Sequence, residues 1–276
     1  MFMTLHEEAL MPLAPLVYPL SLIHRVLQEP GSQPLRIIDL GAGTGIATRL
    51  LLQEAHKYGG IQSLLAVDPS PGMLSHLRTT LCDANDGWVA RLTRQGIVPP
   101  KLRVEIKQGT FDCFDGGHDN DLVVIAQAWH WCPDFDRALS QIAQSLRPGG
   151  ILALIWNLED RDAATWVAQL RDLYEQFEDN TPQYRHMRWH AMYDAPSFAR
   201  YFETLEPIHI RYTLPTDMSG VINRMLSKSY ITVLDKDRQA DLSAQAEALL
   251  TKPEMDRTML DSAQQIWAYP YRTGMW

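Results

Sequence analysis

The sequence predicts an α/β fold, a doubly wound and mostly parallel sheet with helices on both faces. Three observations carry that expectation. Apolar strand-like runs alternate with amphipathic segments from residue 35 to residue 157. The run Leu35-Arg36-Ile37-Ile38-Asp39-Leu40 turns directly into Gly41-Ala42-Gly43-Thr44-Gly45 and an amphipathic stretch, which reads as a buried strand bending sharply into a helix. Asp121 to Ala128 is almost continuously apolar, as suits a strand covered on both faces.

Taken in order, residues 1–33 read as one or two short helices, with Leu16, Leu20, Ile23 and Leu27 at helical spacing. The glycines after the first strand let the backbone approach a ligand and adopt positive φ, and the following helix, from about Gly45 to Tyr58, aims free N–H groups at that ligand. Ile46 stands where a dinucleotide fingerprint needs a small residue, which weakens an NAD reading. The second strand, Ser63 to Val67, ends in Asp68-Pro69-Ser70-Pro71, where Ser70 and Pro71 form a helix start and Asp68 is placed to accept hydrogen bonds from two ribose hydroxyls.

Residues 77–101 read as loops round a short helix. Leu102 to Ile106 forms a third strand, and the apolar run from Asp121 a fourth that opens into Trp129-His130-Trp131. A helix from about Asp136 to Leu146 stops at Arg147-Pro148-Gly149-Gly150, which reads as a turn into the fifth strand Ile151 to Ile155. Asp162 to Ala199 is helical and aromatic-rich, with Trp166, Leu170, Leu173, Tyr174 and Phe177 on one face. Pro207 to Pro215 alternates as an edge strand, helices span 217–226 and 238–250, and Gln264 to Arg272 makes a closing strand.

Composition narrows the function. A net charge of −8 disfavours nucleic acid and anionic membranes as partners, because both need a positive field. No stretch reads as a membrane span, since Pro12, Pro15 and Pro19 break the apolar segment from Leu10 to Leu27, and a cytoplasmic protein is expected. Cys82, Cys113 and Cys132 show no pairing pattern and read as reduced packing residues. His186 and His190 are four apart but lack an intervening glutamate and a third ligand, so no metal site is expected. His130 has a side chain suited to general base work, and it is equally suited to orienting a loop by hydrogen bonding.

Two motifs carry a family resemblance. Asp39-Leu40-Gly41-Ala42-Gly43-Thr44-Gly45 resembles the first motif of class I S-adenosylmethionine (SAM) dependent methyltransferases. Gln127-Ala128-Trp129-His130-Trp131 resembles the signature of type-11, trans-aconitate methyltransferase-like enzymes acting on small molecules. The resemblance implies a Rossmann-like, seven-stranded sheet with an antiparallel last strand and a helical cap. It implies one domain over 1–276, with a SAM-binding core at 35–157, helices at 1–33 and a cap at 160–205 over the active site.

By the same resemblance the cofactor contacts are Asp39, Gly41, Ala42, Gly43, Asp68, Pro69, Met73, Thr110, Phe111, Gln127 and Ala128. Tyr18, Trp131, Trp156 and Asn157 are expected at the substrate, and His130 is the catalytic candidate. Tyr18-Pro19 resembles a pair that helps close the cofactor pocket, although the family's upstream arginine is missing. Methylation of a carboxylate or hydroxyl oxygen of a small molecule is the implied activity, in a monomer or homodimer. Alternatives at this stage are a SAM enzyme catalysing another reaction, a non-catalytic SAM-fold partner subunit, and an NAD-dependent oxidoreductase.

Overall fold

The computed structural model describes residues 18–31 and 34–276. The first half contains α1 (Leu20–Gln28), β1 (Leu35–Leu40), α2 (Ile46–Glu54), β2 (Ile61–Asp68), α3 (Pro71–Cys82), α4 (Trp88–Arg94), β3 (Arg103–Gln108), β4 (Asn120–Ala126) and α5 (Phe135–Ser145). The second contains β5 (Leu146–Glu159), α6 (Thr165–Glu175), α7 (Pro196–Tyr201), β6 (Ile208–Thr216), α8 (Met218–Leu226), α9 (Ser229–Thr232), α10 (Lys236–Leu250), β7 (Met259–Asp261) and β8 (Ile266–Met275). Strand order is β3-β2-β1-β4-β5-β8-β6, with the short β7 paired to β8.

The pairs β1–β2, β2–β3, β1–β4 and β4–β5 are parallel. Trp276 and Leu154 exchange both backbone hydrogen bonds, and the Asp160 N–H donates to the Pro270 carbonyl, so β8 runs antiparallel to β5. The mostly parallel α/β sheet with an antiparallel last strand is therefore present, with eight strands where seven were expected because the short β7 adds to β8. The chain reverses its direction of travel across the sheet between β1 and β4, and open sheets of this kind bind ligands at the carboxyl ends of the strands beside such a reversal.

The chain divides into two compact units. The larger holds Tyr18–Asn157, Pro182–Ile210 and Thr273–Trp276, and the other holds Leu158–Thr181 with Arg211–Arg272. The segment 160–205, expected as one cap, is thus shared between them. Its helical reading also changes: α6 stops at Glu175, Asp179 and Asn180 take positive φ, and Pro182 follows, so the chain continues through short 3-10 turns to α7.

In the larger unit, β4 is buried along its whole length, as a central strand covered on both faces must be. Helix α1 buries Leu22, Ile23, Val26 and Leu27 and leaves Leu20 exposed, which shifts the expected stripe; Leu16 lies outside the described residues. Glu54, the last residue of α2, is buried, and its carboxylate takes His24 Nε2 and Lys57 Nζ at 2.6 Å each. Burial alone would raise this carboxyl, yet the hydrogen bonds from Lys57 and His24 hold it below its ordinary value. The stretch Arg147 to Gly150 is not a turn. It is the extended start of β5, where a register shift beside Asn120 and a positive φ at Gly149 absorb the irregularity.

The second unit is built round a buried carboxylate at the end of β5. Glu159 is fully buried and receives Arg224 Nε at 2.7 Å and Lys228 Nζ at 3.0 Å, while Arg171 Nη1 donates to its backbone carbonyl at 2.8 Å. Lys228 also lies 4.6 Å over the Tyr174 ring. Burial would raise the Glu159 carboxyl, but the two cations overcome it and hold it far below its ordinary value. Burial pulls the Lys228 ammonium down to about 8 against the opposing pull of Glu159. Around this pair α6 buries Trp166, Leu170 and Tyr174, and Trp166 packs on Trp267 and Tyr269. Among the described residues no helix is long and apolar enough to cross a membrane.

Candidate functional site

The glycine turn after β1 is fixed from below. Gly41 and Ala42 both donate their N–H to the Val67 carbonyl, at 2.8 and 2.9 Å, which ties the turn to the end of β2. Gly41 has φ +80°, and a Cβ there would lie 2.7 Å from the Ala128 Cβ, so only glycine lets the tips of β1 and β4 meet. Gly43 differs. Its φ is +56°, but a Cβ would meet nothing within 4 Å, so its missing side chain leaves open space.

Two carboxylates lie near this turn, Asp39 two residues before it and Asp68 bonded to it. Asp68, only 8% exposed, accepts the Gly43 N–H on Oδ2 and the Ser70 N–H on Oδ1, each at 2.9 Å. An ionised carboxylate has about four acceptor positions, so Asp68 keeps capacity for two more donors. Asp39 is 0% exposed; its Oδ2 accepts the Thr48 hydroxyl at 2.5 Å, and among the described residues its Oδ1 has no partner. Burial pushes the Asp39 carboxyl up to about 6, the Thr48 hydrogen bond opposes that, and the nearby Asp68 charge adds to it. A buried, unpartnered carboxylate oxygen is costly and marks a place where a donor is missing.

The remaining expected cofactor contacts sit on neighbouring loops. Pro69 follows Asp68, and its carbonyl accepts from Gln108 Nε2 at 3.0 Å, joining the ends of β2 and β3. Met73, in the first turn of α3, is exposed. Thr110 is exposed and bonds Asp112, while Phe111 packs edge-on against Trp129 at 5.5 Å and would lie 3.5 Å from a Cβ at Gly41. Gln127 takes φ +60°, unusual for a side chain this long, and is clamped: its N–H donates to the Ile155 carbonyl at 2.7 Å and its Nε2 to the Asn157 carbonyl at 2.5 Å.

The signature after β4 forms a 3-10 turn, Trp129–Trp131, that runs from a buried to an exposed side chain. Trp129 is buried, its Nε1 3.0 Å from the Met192 sulfur, and Trp131 is 45% exposed. His130 accepts at Nδ1 from Trp156 Nε1 at 3.0 Å. Burial pulls the imidazole down to about 4, so it is neutral at physiological pH. Among the described residues its Nε2 has no partner.

Three residues expected at the substrate are buried. Trp156 is 0% exposed, stacked on Trp189 at 4.3 Å and Tyr184 at 4.9 Å with the Trp276 ring edge-on at 5.4 Å. Its ring is covered, and the one polar atom of its side chain is given to His130. Asn157 is buried, its Oδ1 accepting from Thr273 Oγ1 at 2.8 Å. Tyr18 is buried as well. Trp131 is the member of that set that is exposed.

Several contributors escape a reading of the sequence. Thr48, which fixes Asp39, sits in the first turn of α2 on the side that faces the sheet, and a polar residue on that otherwise apolar side is the available signal. Tyr184, Trp189 and Trp276 come from segments remote in the chain and carry no local signal for packing round Trp156. His186 and His190 lie on 3-10 turns, and among the described residues no group of three or more His, Cys, Asp or Glu side chains is arranged to hold a metal. Cys132 is buried and its thiol is pushed up to about 12, chiefly by that burial.

Fold and rim together define an open, doubly wound α/β protein organised on the glycine turn after its first strand. The chain belongs to the methyltransferase family whose model, described as a methyltransferase domain, matches residues 15–205. An uncharacterized methyltransferase of Mycobacterium tuberculosis (strain H37Rv) is 30% identical over 223 residues, covering 80% of this chain and 75% of its own. Malonyl-[acyl-carrier protein] O-methyltransferase of Methylococcus capsulatus is 34% identical over 128 residues, 46% of this chain and 39% of its own. Trans-aconitate 2-methyltransferase of Methylobacterium nodulans is 28% identical over 125 residues, 45% and 39% of the two chains. The solved structure of a protein assigned as a Type II methyltransferase from Anaeromyxobacter dehalogenans aligns over 94% of this chain and 95% of its own, with a TM-score of 0.57 and 19% identity, a likeness of fold.

Proposed function

We propose that this chain is a SAM-dependent methyltransferase acting on a carboxylate or hydroxyl oxygen of a small molecule. The observation that carries this reading is the unpartnered Oδ1 of Asp39 in the same rim as the open side of Gly43 and the half-satisfied Asp68. A ligand with a cation, a ribose diol and a slim linker between them fits that set. Asp39 faces the α-ammonium, Asp68 takes the ribose hydroxyls, the backbone from Gly41 to Gly43 lies along the linker, and Met73, Thr110 and Phe111 border the adenine. When bound, SAM supplies an electrophilic methyl group. The protein then has to hold an acceptor oxygen in line and keep water away, and positioning of this kind supplies up to about 7–11 kcal/mol in well-oriented cases. Methyltransferases named for malonyl-acyl carrier protein and trans-aconitate among the relatives support an oxygen acceptor on a small acid.

The direct test is calorimetric titration of SAM into wild type and Asp68→Ala. Loss of two hydrogen bonds to a charged group should weaken binding by about 3 kcal/mol or more, roughly a hundredfold. Equal affinity in the two proteins removes the ribose assignment, and absence of SAM binding by wild type removes the reading altogether.

A second expectation concerns pH. The folded Asp39 carboxyl lies near 6, above its ordinary 3.8, so burying its charge costs stability above about pH 6 and that cost disappears as the pH falls towards 4. An ammonium beside it favours the ionised form. SAM affinity is therefore expected to fall as the pH drops through 6, and binding at pH 5.5 to release up to one proton. Titrations in buffers of different ionisation enthalpy read that number, and proton release equal at pH 5.5 and 7.5 would detach Asp39 from the ligand.

A further inference from the structure

We infer that Trp156 is a positioning residue that locks His130 as a neutral imidazole with its proton on Nε2, making His130 a hydrogen-bond donor to the acceptor molecule and not a base. The inference rests on the reading of this rim as the methyl-transfer site. An indole Nε1 can only donate, so the 3.0 Å contact to Nδ1 requires a lone pair on that nitrogen. A neutral imidazole then carries its single proton on Nε2. The indole is held by packing, because Trp156 is fully buried and its ring touches Trp189, Tyr184 and Trp276.

The consequence is a restriction on chemistry. His130 has one nitrogen already occupied and the other protonated, so it has no site at which to take a proton from a hydroxyl. Its low basicity, caused by burial, agrees with that. What it offers is the Nε2 proton, which has no partner among the described residues and suits an oxygen that arrives ionised, as a carboxylate does. Trp131, adjacent in sequence with its ring 5.6 Å from His130 and exposed, supplies an apolar surface beside the donor.

Nitrogen-15 NMR of protein labelled in histidine tests this without a known substrate. His130 should show a pyridine-type resonance at Nδ1 and a pyrrole-type resonance at Nε2, both unchanged from pH 8 to pH 5.5. In Trp156→Phe the two should move towards a mixture of tautomers, and the ring should begin to titrate nearer 6.5. If that variant does not fold, 3-benzothienylalanine at position 156 keeps the shape of the indole and removes the donor, with the same expected change. A wild-type His130 protonated on Nδ1, or titrating near 6.5, overturns the inference, as does a spectrum that the loss of the indole N–H leaves unaltered. SAM titration of the same samples separates the two readings, since a wild type that binds no SAM sinks the site assignment and leaves the tautomer result standing.

Discussion

Glu159→Gln is expected to destabilise the protein by about 3–5 kcal/mol, a large share of the 5–15 kcal/mol typical of a folded domain. The buried carboxylate is the partner of both Arg224 and Lys228, at 2.7 and 3.0 Å. Glutamine keeps the shape but removes the charge and turns one acceptor oxygen into an NH2 donor, leaving two cations inside the unit. Lys228, already drawn down to about 8 by burial, loses the opposing attraction of Glu159 and should shed its proton at still lower pH. Chemical denaturation measures the loss, and a midpoint within error of wild type would show that the ion network contributes nothing to stability. Glu159→Gln with Lys228→Met should recover part of the deficit, because removing a stranded cation costs less than keeping it.

The second large effect separates two glycines that stand two residues apart. Gly43→Ala should leave the fold nearly intact and abolish most SAM affinity. The left-handed backbone costs an alanine about 1–2 kcal/mol, but the new methyl meets no protein atom within 4 Å, so it enters the space assigned to the ligand. Gly41→Ala should do the reverse in stability: its methyl would be 2.7 Å from the Ala128 Cβ, which cannot move without shifting β4, and overpacking adds about 1–3 kcal/mol to the backbone strain. Thermal unfolding with and without SAM measures both. Undiminished SAM binding by Gly43→Ala would mean that the open side of the turn is not where the ligand lies.

Much of the α/β fold was legible because its signals are local and repeated. The glycine turn, the Ser70-Pro71 helix start and the buried run of β4 each rest on a few neighbouring residues, and each appears where expected: Ser70 accepts the Met73 N–H as the cap of α3. Arg147 to Gly150 misled because Pro-Gly normally marks a turn, whereas here the chain stays extended round a bulge that depends on Asn120 in another strand. The long helical face from Asp162 fails at Asp179 and Asn180, whose positive φ values have no signature in the apolar spacing that suggested it.

The candidate site divides along the same line. Asp39, Gly43 and Asp68 stand at the strand ends and turn where the sequence places them, because strand ends and glycines fix them. Trp156 and Asn157 could not be placed in this way, because in a strand buried on both faces alternation does not say which residues look outward. The partners that bury Trp156 come from residues 184, 189 and 276, and nothing at position 156 announces them.

Gln127 shows what this rim asks of the chain. A glycine would occupy its left-handed conformation at no steric penalty, so the glutamine gives up about 1–2 kcal/mol of folding stability. In exchange its amide reaches the Asn157 carbonyl and links the tips of β4 and β5. Relaxing the backbone and keeping that link are mutually exclusive at this position, so thermostabilisation by a glycine there would come at the expense of the loop that presents His130.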